Sequence, residues 1–185
     1  SGWNSTSLFA MPENIVDTNN IDLGVRFADV NGDGLVDILK AKAGGNRTIY
    51  LNNGSSWYDT SSTWVILVDF LNDTDDLGIS LIDFNGDNKV DILVSKESYP
   101  KQAYLNNGSG WILTTGWEAP DYFIVNESKD NSLREIDFNN DGLPDFIQGG
   151  KPGNAWINNG SGWENYTKYA PDLEFTDYGG NRPDL

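Results

Sequence analysis

The pattern of apolar and polar positions predicts a chain of short β-strands. From residue 24 to 30, apolar residues alternate with polar or small ones, a period of two that is typical of a half-buried strand. The motif Asn52-Asn53-Gly54 is typical of a tight hairpin turn, because Asn and Gly tolerate positive φ. No window holds an apolar stripe long enough to predict a good α-helix. Further strand candidates and apolar stretches lie at 36–39, 48–51, 56–58 and 64–70.

This pattern occurs three times, over residues 22–57, 76–111 and 130–163. Asp29, Asp83 and Asp137 occupy equivalent positions, 54 residues apart. A tryptophan recurs at intervals of 54, 54 and 52 residues, at Trp3, Trp57, Trp111 and Trp163. About four short strands in a unit of about 50 residues suit a propeller blade. The sequence therefore predicts an all-β fold of repeated four-stranded antiparallel units, either β-propeller blades or the same units in an open linear array.

No distinct linker separates the units, so we expect a single repeat array over residues 1–185. Its predicted units are 1–57, 58–111, 112–163 and a partial unit at 164–185. The chain opens on Ser-Gly-Trp, the end of an NNGSGW motif, and Asp184 aligns with Asp29. We expect either a piece of a longer array or a unit that joins copies of itself, because a ring needs about 4–8 blades.

Three nine-residue acidic loops have the pattern D-x-N-x-D-[G/N]-x-x-D. They are DVNGDGLVD, DFNGDNKVD and DFNNDGLPD, beginning at Asp29, Asp83 and Asp137. Calcium takes about 6–8 oxygen ligands at flexible distances, and positions 1, 3, 5 and 9 of each loop supply side-chain oxygens. Position 7 would add a backbone carbonyl. The predicted ligands of three calcium ions are Asp29, Asn31, Asp33, Leu35, Asp37, Asp83, Asn85, Asp87, Lys89, Asp91, Asp137, Asn139, Asp141, Leu143 and Asp145.

Two other interpretations of these loops are weaker. Asp, Asn and Gly are good turn formers, so a single loop is compatible with a plain turn. Three loops in register favour the metal site, since three carboxylates packed together repel without a counter-charge. An EF-hand requires a Glu at position 12 and flanking helices. Position 12 here is Lys40, Val94 or Gln148, so that motif fails. We expect position 6, which is Asn88 in the second loop, to take a left-handed conformation.

The loops and their strand flanks resemble the FG-GAP/VCBS repeats of integrin-α-type β-propellers. In that family, calcium sits in a hairpin loop D-x-[D/N]-x-D-G-x-x-D within each blade. The resemblance implies the same role for the side chains at positions 1, 3, 5 and 9 of the three loops. Asn88 and Pro144 depart from the pattern, and the Phe-Gly…Gly-Ala-Pro element is not obvious. The loops combined with LNNGSGW also resemble arrays of secreted or surface microbial proteins.

Composition excludes several kinds of function. The chain has no Cys and no His, which excludes disulfides, thiolate or imidazole metal sites and the Ser-His-Asp triad. Its formal charge of −16 disfavours nucleic acid and anionic membranes. No segment is apolar enough for a transmembrane helix. A glycosidase that uses only carboxylates is compatible with the composition, but no acid and nucleophile pair stands out. We therefore expect no enzyme.

Glycosylation and the repeated aromatics each admit two explanations. The Trp residues suit either sugar stacking or packing between units, and we favour packing. We also expect Tyr50, Tyr104 and Trp156 to be ordinary strand residues. Three of the sequons coincide with the NNG turns, where turn formation alone explains them. The candidate N-glycosylation sites are Asn4, Asn46, Asn53, Asn72, Asn107, Asn126, Asn159 and Asn165.

The sequence thus predicts a calcium-stabilised extracellular or cell-surface module for binding or adhesion. We expect its partner to be a protein or a glycan, with no nucleic acid and no membrane insertion. The alternative is a structural subunit of an extracellular fibre or surface coat, with or without glycosylation, in which further copies of the same array assemble head-to-tail. About three Ca²⁺ ions would reduce the formal charge from −16 to −10.

Overall fold

The computed structural model describes residue 7 and residues 9–126, 129–150 and 152–171. Its strands form three four-stranded antiparallel sheets, in which each strand pairs with the next along the chain. The first sheet contains β1 (Val25–Ala28), β2 (Asp37–Lys40), β3 (Thr48–Asn52) and β4 (Trp57–Asp59). The hairpin β5 (Leu71–Asn72) and β6 (Asp75–Asp76) follows it.

The second sheet contains β7 (Ile79–Ile82), β8 (Asp91–Val94), β9 (Gln102–Asn106) and β10 (Trp111–Thr114). It precedes the hairpin β11 (Ile124–Val125) and β12 (Lys129–Asp130). The third sheet contains β13 (Leu133–Ile136), β14 (Asp145–Gln148), β15 (Asn154–Asn158) and β16 (Trp163–Asn165). A short 3₁₀ helix at Thr167–Tyr169 ends the described chain.

The all-β fold of repeated four-stranded units is therefore confirmed. The described residues form no α-helix, and no helix among them is long and apolar enough to cross a membrane. We call the three sheets with their acidic loops the first, second and third units. The fourth strand of each unit begins at or close to the recurring tryptophan, so the sheets span residues 25–59, 79–114 and 133–165.

The core lies between neighbouring sheets, because the second strand of each sheet contributes apolar side chains to both of its faces. One cluster joins the first and second sheets, with Leu39, Ile49 and Ile92 fully or almost fully buried. A second cluster joins the second and third sheets through Leu93 and Phe146. Burial of apolar surface between sheets is the main force that holds such an array together.

The segment 64–70 forms no strand but still alternates in burial. Trp64, Ile66 and Phe70 are buried between the first two sheets, whereas Val65 and Leu67 are exposed. The backbone pairs only at its end, where Leu71 forms a parallel bridge with Lys42. The alternation in burial therefore results from insertion of the segment between two sheets, not from membership of either sheet.

Candidate metal-binding loops

The first acidic loop folds around its first carboxylate. Oδ1 of Asp29 accepts the backbone N–H groups of Gly32 at 2.8 Å and Asp33 at 3.2 Å. Oδ2 of Asp29 accepts the N–H of Gly34 at 2.7 Å. In turn, Oδ1 of Asp33 accepts the N–H of Leu35 at 2.8 Å. Gly34 has a φ of 84°, so the loop turns back at position 6.

The second loop repeats this geometry. Asp83 accepts the N–H groups of Gly86 at 2.8 Å, Asp87 at 3.1 Å and Asn88 at 2.7 Å. Asn88 has a φ of 65°, as expected for the residue that replaces glycine at position 6. Lys89 donates its N–H to Asp87 at 2.9 Å, and its ammonium group forms a 3.1 Å ion pair with the same carboxylate.

The third loop is more open. Asp137 accepts the N–H groups of Asp141 at 3.1 Å and Gly142 at 3.0 Å, but no such bond comes from the residue at position 4. That residue is Asn140, with a φ of 61°, where the other two loops have glycine. Asp137 is exposed, whereas the first carboxylates of the other loops are half-buried.

The asparagines at position 3 also accept a loop N–H. Each Oδ1 accepts the backbone N–H at position 5, at 2.9, 3.0 and 2.9 Å for Asn31, Asn85 and Asn139. The carbonyl oxygens at position 7 are different, because no described residue donates a hydrogen bond to them. These residues are Leu35, Lys89 and Leu143. Each loop therefore has a backbone oxygen available as a ligand, which the predicted calcium site requires at position 7.

The aspartate at position 9 is fully buried in every loop and joins the loop to the sheet. Oδ2 of Asp91 accepts the N–H of Phe84 at 3.3 Å, and Oδ1 accepts the N–H of Asn106 at 2.7 Å. Asp37 and Asp145 make the same two bonds, to Val30 and Asn52 and to Phe138 and Asn158 respectively. One carboxylate therefore fixes both the start of the loop and the end of the third strand.

Burial makes the charged form of these three aspartates unfavourable. It raises the pKa of Asp91 to about 7, although the N–H groups of Asn106 and Phe84 act in the opposite direction. Burial likewise raises the pKa values of Asp37 and Asp145. The other carboxylates of the same loop, Asp83 and Asp87, add to the effect at Asp91. A bound divalent cation would reverse this balance.

The donor chemistry of the loops fits calcium. Each loop gathers three carboxylates, one amide oxygen and one backbone carbonyl within a single turn. A carboxylate oxygen that accepts one N–H keeps a second lone pair for a metal. Among the described residues, however, no three acidic side chains converge closely enough to hold a metal ion by themselves. Calcium binding would therefore require the carboxylates at positions 1, 5 and 9 to turn toward a common centre.

Comparison with known families decides the identity of the repeat. The model of the FG-GAP-like repeat matches residues 29–94 and 83–148, which together cover more than half of the chain. This chain belongs to the FG-GAP-like repeat family. Each match runs from the first aspartate of one loop to the second strand of the next unit. A search of curated protein sequences gives no match.

The FG-GAP-like chain is similar in fold to an Agrocybe aegerita lectin that recognises non-reducing terminal N-acetylglucosamine. The TM-score is 0.58 and the sequence identity is 21%. The similarity covers 84% of this chain and 40% of the lectin chain. The likeness shows a common fold, and the chain spans well under half the length of that lectin.

Neighbouring FG-GAP-like units are joined by a hydrogen bond that sequence reasoning missed. Nδ2 of Asn106, in the second unit, donates to the carbonyl of Val30 in the loop of the first unit at 2.7 Å. Nδ2 of Asn158, in the third unit, donates to Phe84 in the second loop at 2.8 Å. Both asparagines are almost fully buried. Each is the first Asn of an NNG motif. Turn formation alone explains an Asn there, so the sequence does not indicate the bond to the neighbouring unit.

Two of the recurring tryptophans, Trp111 and Trp163, pack between the FG-GAP-like units, as expected, whereas Trp57 meets Phe9 in the segment before the first sheet. Trp111 is buried and meets Trp64 edge-on, with ring centroids 5.7 Å apart. Trp163 meets Trp117 edge-on at 5.8 Å. The first tryptophan of the series, Trp3, lies outside the described residues. Tyr50, Tyr104 and Trp156 occupy equivalent places in β3, β9 and β15, which confirms them as strand residues.

Seven of the eight sequon asparagines lie at exposed positions. The turn sequons at Asn53, Asn107 and Asn159 use Oδ1 to accept the N–H and hydroxyl of the serine two residues later. Their amide nitrogens donate no hydrogen bond to the described residues. The remaining exposed sequons are Asn46, Asn72, Asn126 and Asn165. Asn4 lies outside the described residues.

Proposed function

We propose that this chain is a calcium-stabilised, non-enzymatic binding module that acts outside the cell and recognises a glycan. The likeness of its fold to a lectin carries the choice of a glycan over a protein ligand. The absence of Cys and His from the sequence supports a binding role rather than catalysis. The carboxylates that recur in groups along the sequence lie in the three loops, where backbone N–H groups engage them.

Calcium serves the fold in this proposal, not the recognition of the ligand. Each loop ends in the buried aspartate that joins it to its sheet, so a bound ion would stabilise the adjoining edge of the unit. The chain has no disulfides to do this. Calcium is plentiful outside cells, where modest affinity suffices.

An extracellular site also makes the exposed sequons candidate attachment points for N-linked glycans. Production in a host that glycosylates should give a mass above 20.5 kDa that falls to that value after enzymatic deglycosylation. An intact mass of 20.5 kDa before treatment would contradict glycosylation and would leave the binding proposal unaffected.

A glycan array tests the function directly. The full chain in calcium-containing buffer should give a saturable signal on a defined glycan class, with terminal N-acetylglucosamine as the first probe. Unfolded protein, prepared by heating in chelator, is the control for non-specific adhesion. A flat array together with a saturable hit on a protein array would overturn the choice of ligand.

A further inference from the structure

The three units meet at two internal interfaces that use the same positions. The side of the first sheet that faces the second unit presents Leu39 and Leu51, and the loop residue Val30 lies beside them. The equivalent side of the second sheet presents Leu93 and Leu105, with Phe84 beside them. Each interface thus has a back face from the earlier unit and a front face from the later one.

The third unit presents the same back face, but no described sheet covers it. Ile147, Ile157 and Phe138 stand where the second unit has Leu93, Leu105 and Phe84. Ile136 is 46% exposed, whereas the equivalent Ile82 is only 8% exposed. Tyr169 packs on Phe138 with ring centroids 5.1 Å apart and is itself exposed. This surface is a largely apolar sheet face on which Ile147, Ile157 and Phe138 are half-buried.

The first unit presents a matching front face, formed by β1–β3 and the segment 9–16 that lies before them. This segment is equivalent to the buried segment 64–70, because Phe9 meets Trp57 edge-on at 5.9 Å just as Trp64 meets Trp111. Met11 and Ile15 are 41% and 45% exposed, whereas the equivalent Ile66 and Phe70 are 1% and 0% exposed. Phe27 of β1, equivalent to the packed Leu81, is 47% exposed.

The polar groups of the two faces are complementary as well. Asn106 and Asn158 each donate to a carbonyl in the loop of the preceding unit. Asn52, their equivalent in the first unit, donates only to Val36 of its own unit at 3.2 Å. At the other end, the carbonyl of Phe138 accepts no hydrogen bond from the described residues. One face therefore offers a donor where the other offers an acceptor.

The charged residues of the two faces are complementary as well. Arg26 of the first unit lies 3.9 Å from Asp76 of the second unit, as well as 3.0 Å from Asp22 of its own. Arg134 occupies the place of Arg26 on the back face of the third unit and pairs with Asp130. On the front face of the first unit, Asp22 occupies the place of Asp76. A second copy would bring Asp22 to Arg134.

We propose that a second copy of this chain docks its front face, Phe9, Met11, Ile15 and Phe27, on the back face, Ile136, Phe138, Ile147 and Ile157. The contact repeats the two interfaces within the chain, with Asn52 of one copy donating to Phe138 of the other. The contact is head-to-tail, because it joins the front face of one copy to the back face of the other. The remaining face of each copy is then available for a second contact of the same kind. Two copies would bring six units together, within the range of about 4–8 blades that close a propeller.

Sedimentation velocity of the full chain in calcium buffer tests the contact. The protein should associate as its concentration rises. Phe27→Lys and Ile136→Lys should each raise the dissociation constant at least about tenfold, because each places a charge at the centre of an apolar contact. The matched control is Leu113→Lys, which changes an exposed apolar residue of the second unit outside both faces and should leave association unchanged.

A mixture of the two variants separates this contact from general stickiness. Phe27→Lys keeps an intact back face and Ile136→Lys keeps an intact front face, so the mixture should form heterodimers that do not grow further. Thermal unfolding of each variant confirms that it is folded. A wild-type chain that stays monomeric at its highest soluble concentration would overturn the proposal. An oligomer that both substitutions leave unchanged would do so too.

These outcomes are independent of the proposed glycan binding. The glycan array reports on a ligand surface, whereas the mixture of variants reports on the two faces alone. Association without a glycan signal would support the head-to-tail contact and contradict the lectin-like role.

Discussion

The buried aspartate at position 9 of each loop does more than the spacing of acids predicts. From the sequence, all the loop carboxylates have one role, as ligands of calcium. In the structure, Asp91 has no exposed surface and holds two backbone N–H groups, whereas Asp87 is exposed at the tip of the loop. Spacing cannot distinguish these roles, because the N–H partners of Asp91 lie 7 and 15 residues away.

This difference predicts unequal effects of two alanine substitutions in one loop. In chelator, Asp91→Ala should lower the free energy of unfolding by about 2–4 kcal/mol, since it leaves two buried N–H groups without an acceptor. Asp87→Ala should change it by about 1 kcal/mol or less under the same conditions. Both should weaken calcium binding. Urea unfolding with and without calcium measures both effects, and equal losses in chelator would contradict the separate roles.

The pKa of Asp91 predicts how the metal-free protein responds to pH. The folded-state pKa of about 7 exceeds the ordinary value of 3.8, so the folded state holds more protons between these values. Stability in chelator should therefore fall as pH rises from about 4 to 7. Burial acts in the same direction on Asp37 and Asp145. Calcium binding requires deprotonated carboxylates, so calcium should stabilise most above pH 7.

Melting temperatures at pH 5, 6 and 8, in chelator and in calcium, check this prediction. The expected result is a declining melting temperature in chelator and the largest calcium shift at pH 8. A melting temperature in chelator that rises from pH 5 to pH 8 would contradict it.

At the scale of elements, the strands and turns were predictable because their signals are local. Alternation marked β1, and the NNG motifs marked the turns that end β3, β9 and β15. The position 6 residue Asn88 was predictable for the same reason, since only its own backbone conformation decides it. The segment 64–70 was ambiguous because a nearly continuous apolar run suits either a buried strand or a segment inserted between sheets.

Contacts between units were not predictable from these local signals. The bond from Asn106 to Val30 spans 76 residues. Asn106 also belongs to an NNG turn, and turn formation alone accounts for an asparagine at this position. Within the first unit, the polar cluster in which Glu13 meets Lys40 at 2.6 Å and Tyr50 at 3.2 Å on the front face was not predictable either. Its members are scattered along the sequence and match no motif.

The contact between units gives a prediction with an internal control. Asn106→Ala should lower the free energy of unfolding by about 2 kcal/mol, because it leaves the buried carbonyl of Val30 without a donor. Asn52→Ala removes the equivalent turn residue, which contacts no other unit of its own chain, and should have an effect of about 1 kcal/mol or less on a dilute sample. Chemical denaturation of the two variants measures the difference. Equal effects would mean that the turn alone accounts for the role of Asn106.

At the scale of the whole molecule, the repeated fold decides where part of the negative charge lies. Nine of the 28 acidic residues lie in the three loops, at one end of each sheet. The first and second loops each touch the next unit, through the bonds from Asn106 and Asn158, so local order in these loops supports the neighbouring unit. In an array stabilised by neighbour contacts, ordering the loops should stabilise all units together.

Calcium titration of chelator-treated protein is the most direct test of the central claim that the acidic loops are metal sites that stabilise the array. Calorimetry should show about three ions bound per chain, and the melting temperature should rise with calcium concentration. Magnesium at the same concentration should give a smaller shift, because it prefers few protein ligands. No heat of binding and an unchanged melting temperature in calcium would contradict the claim.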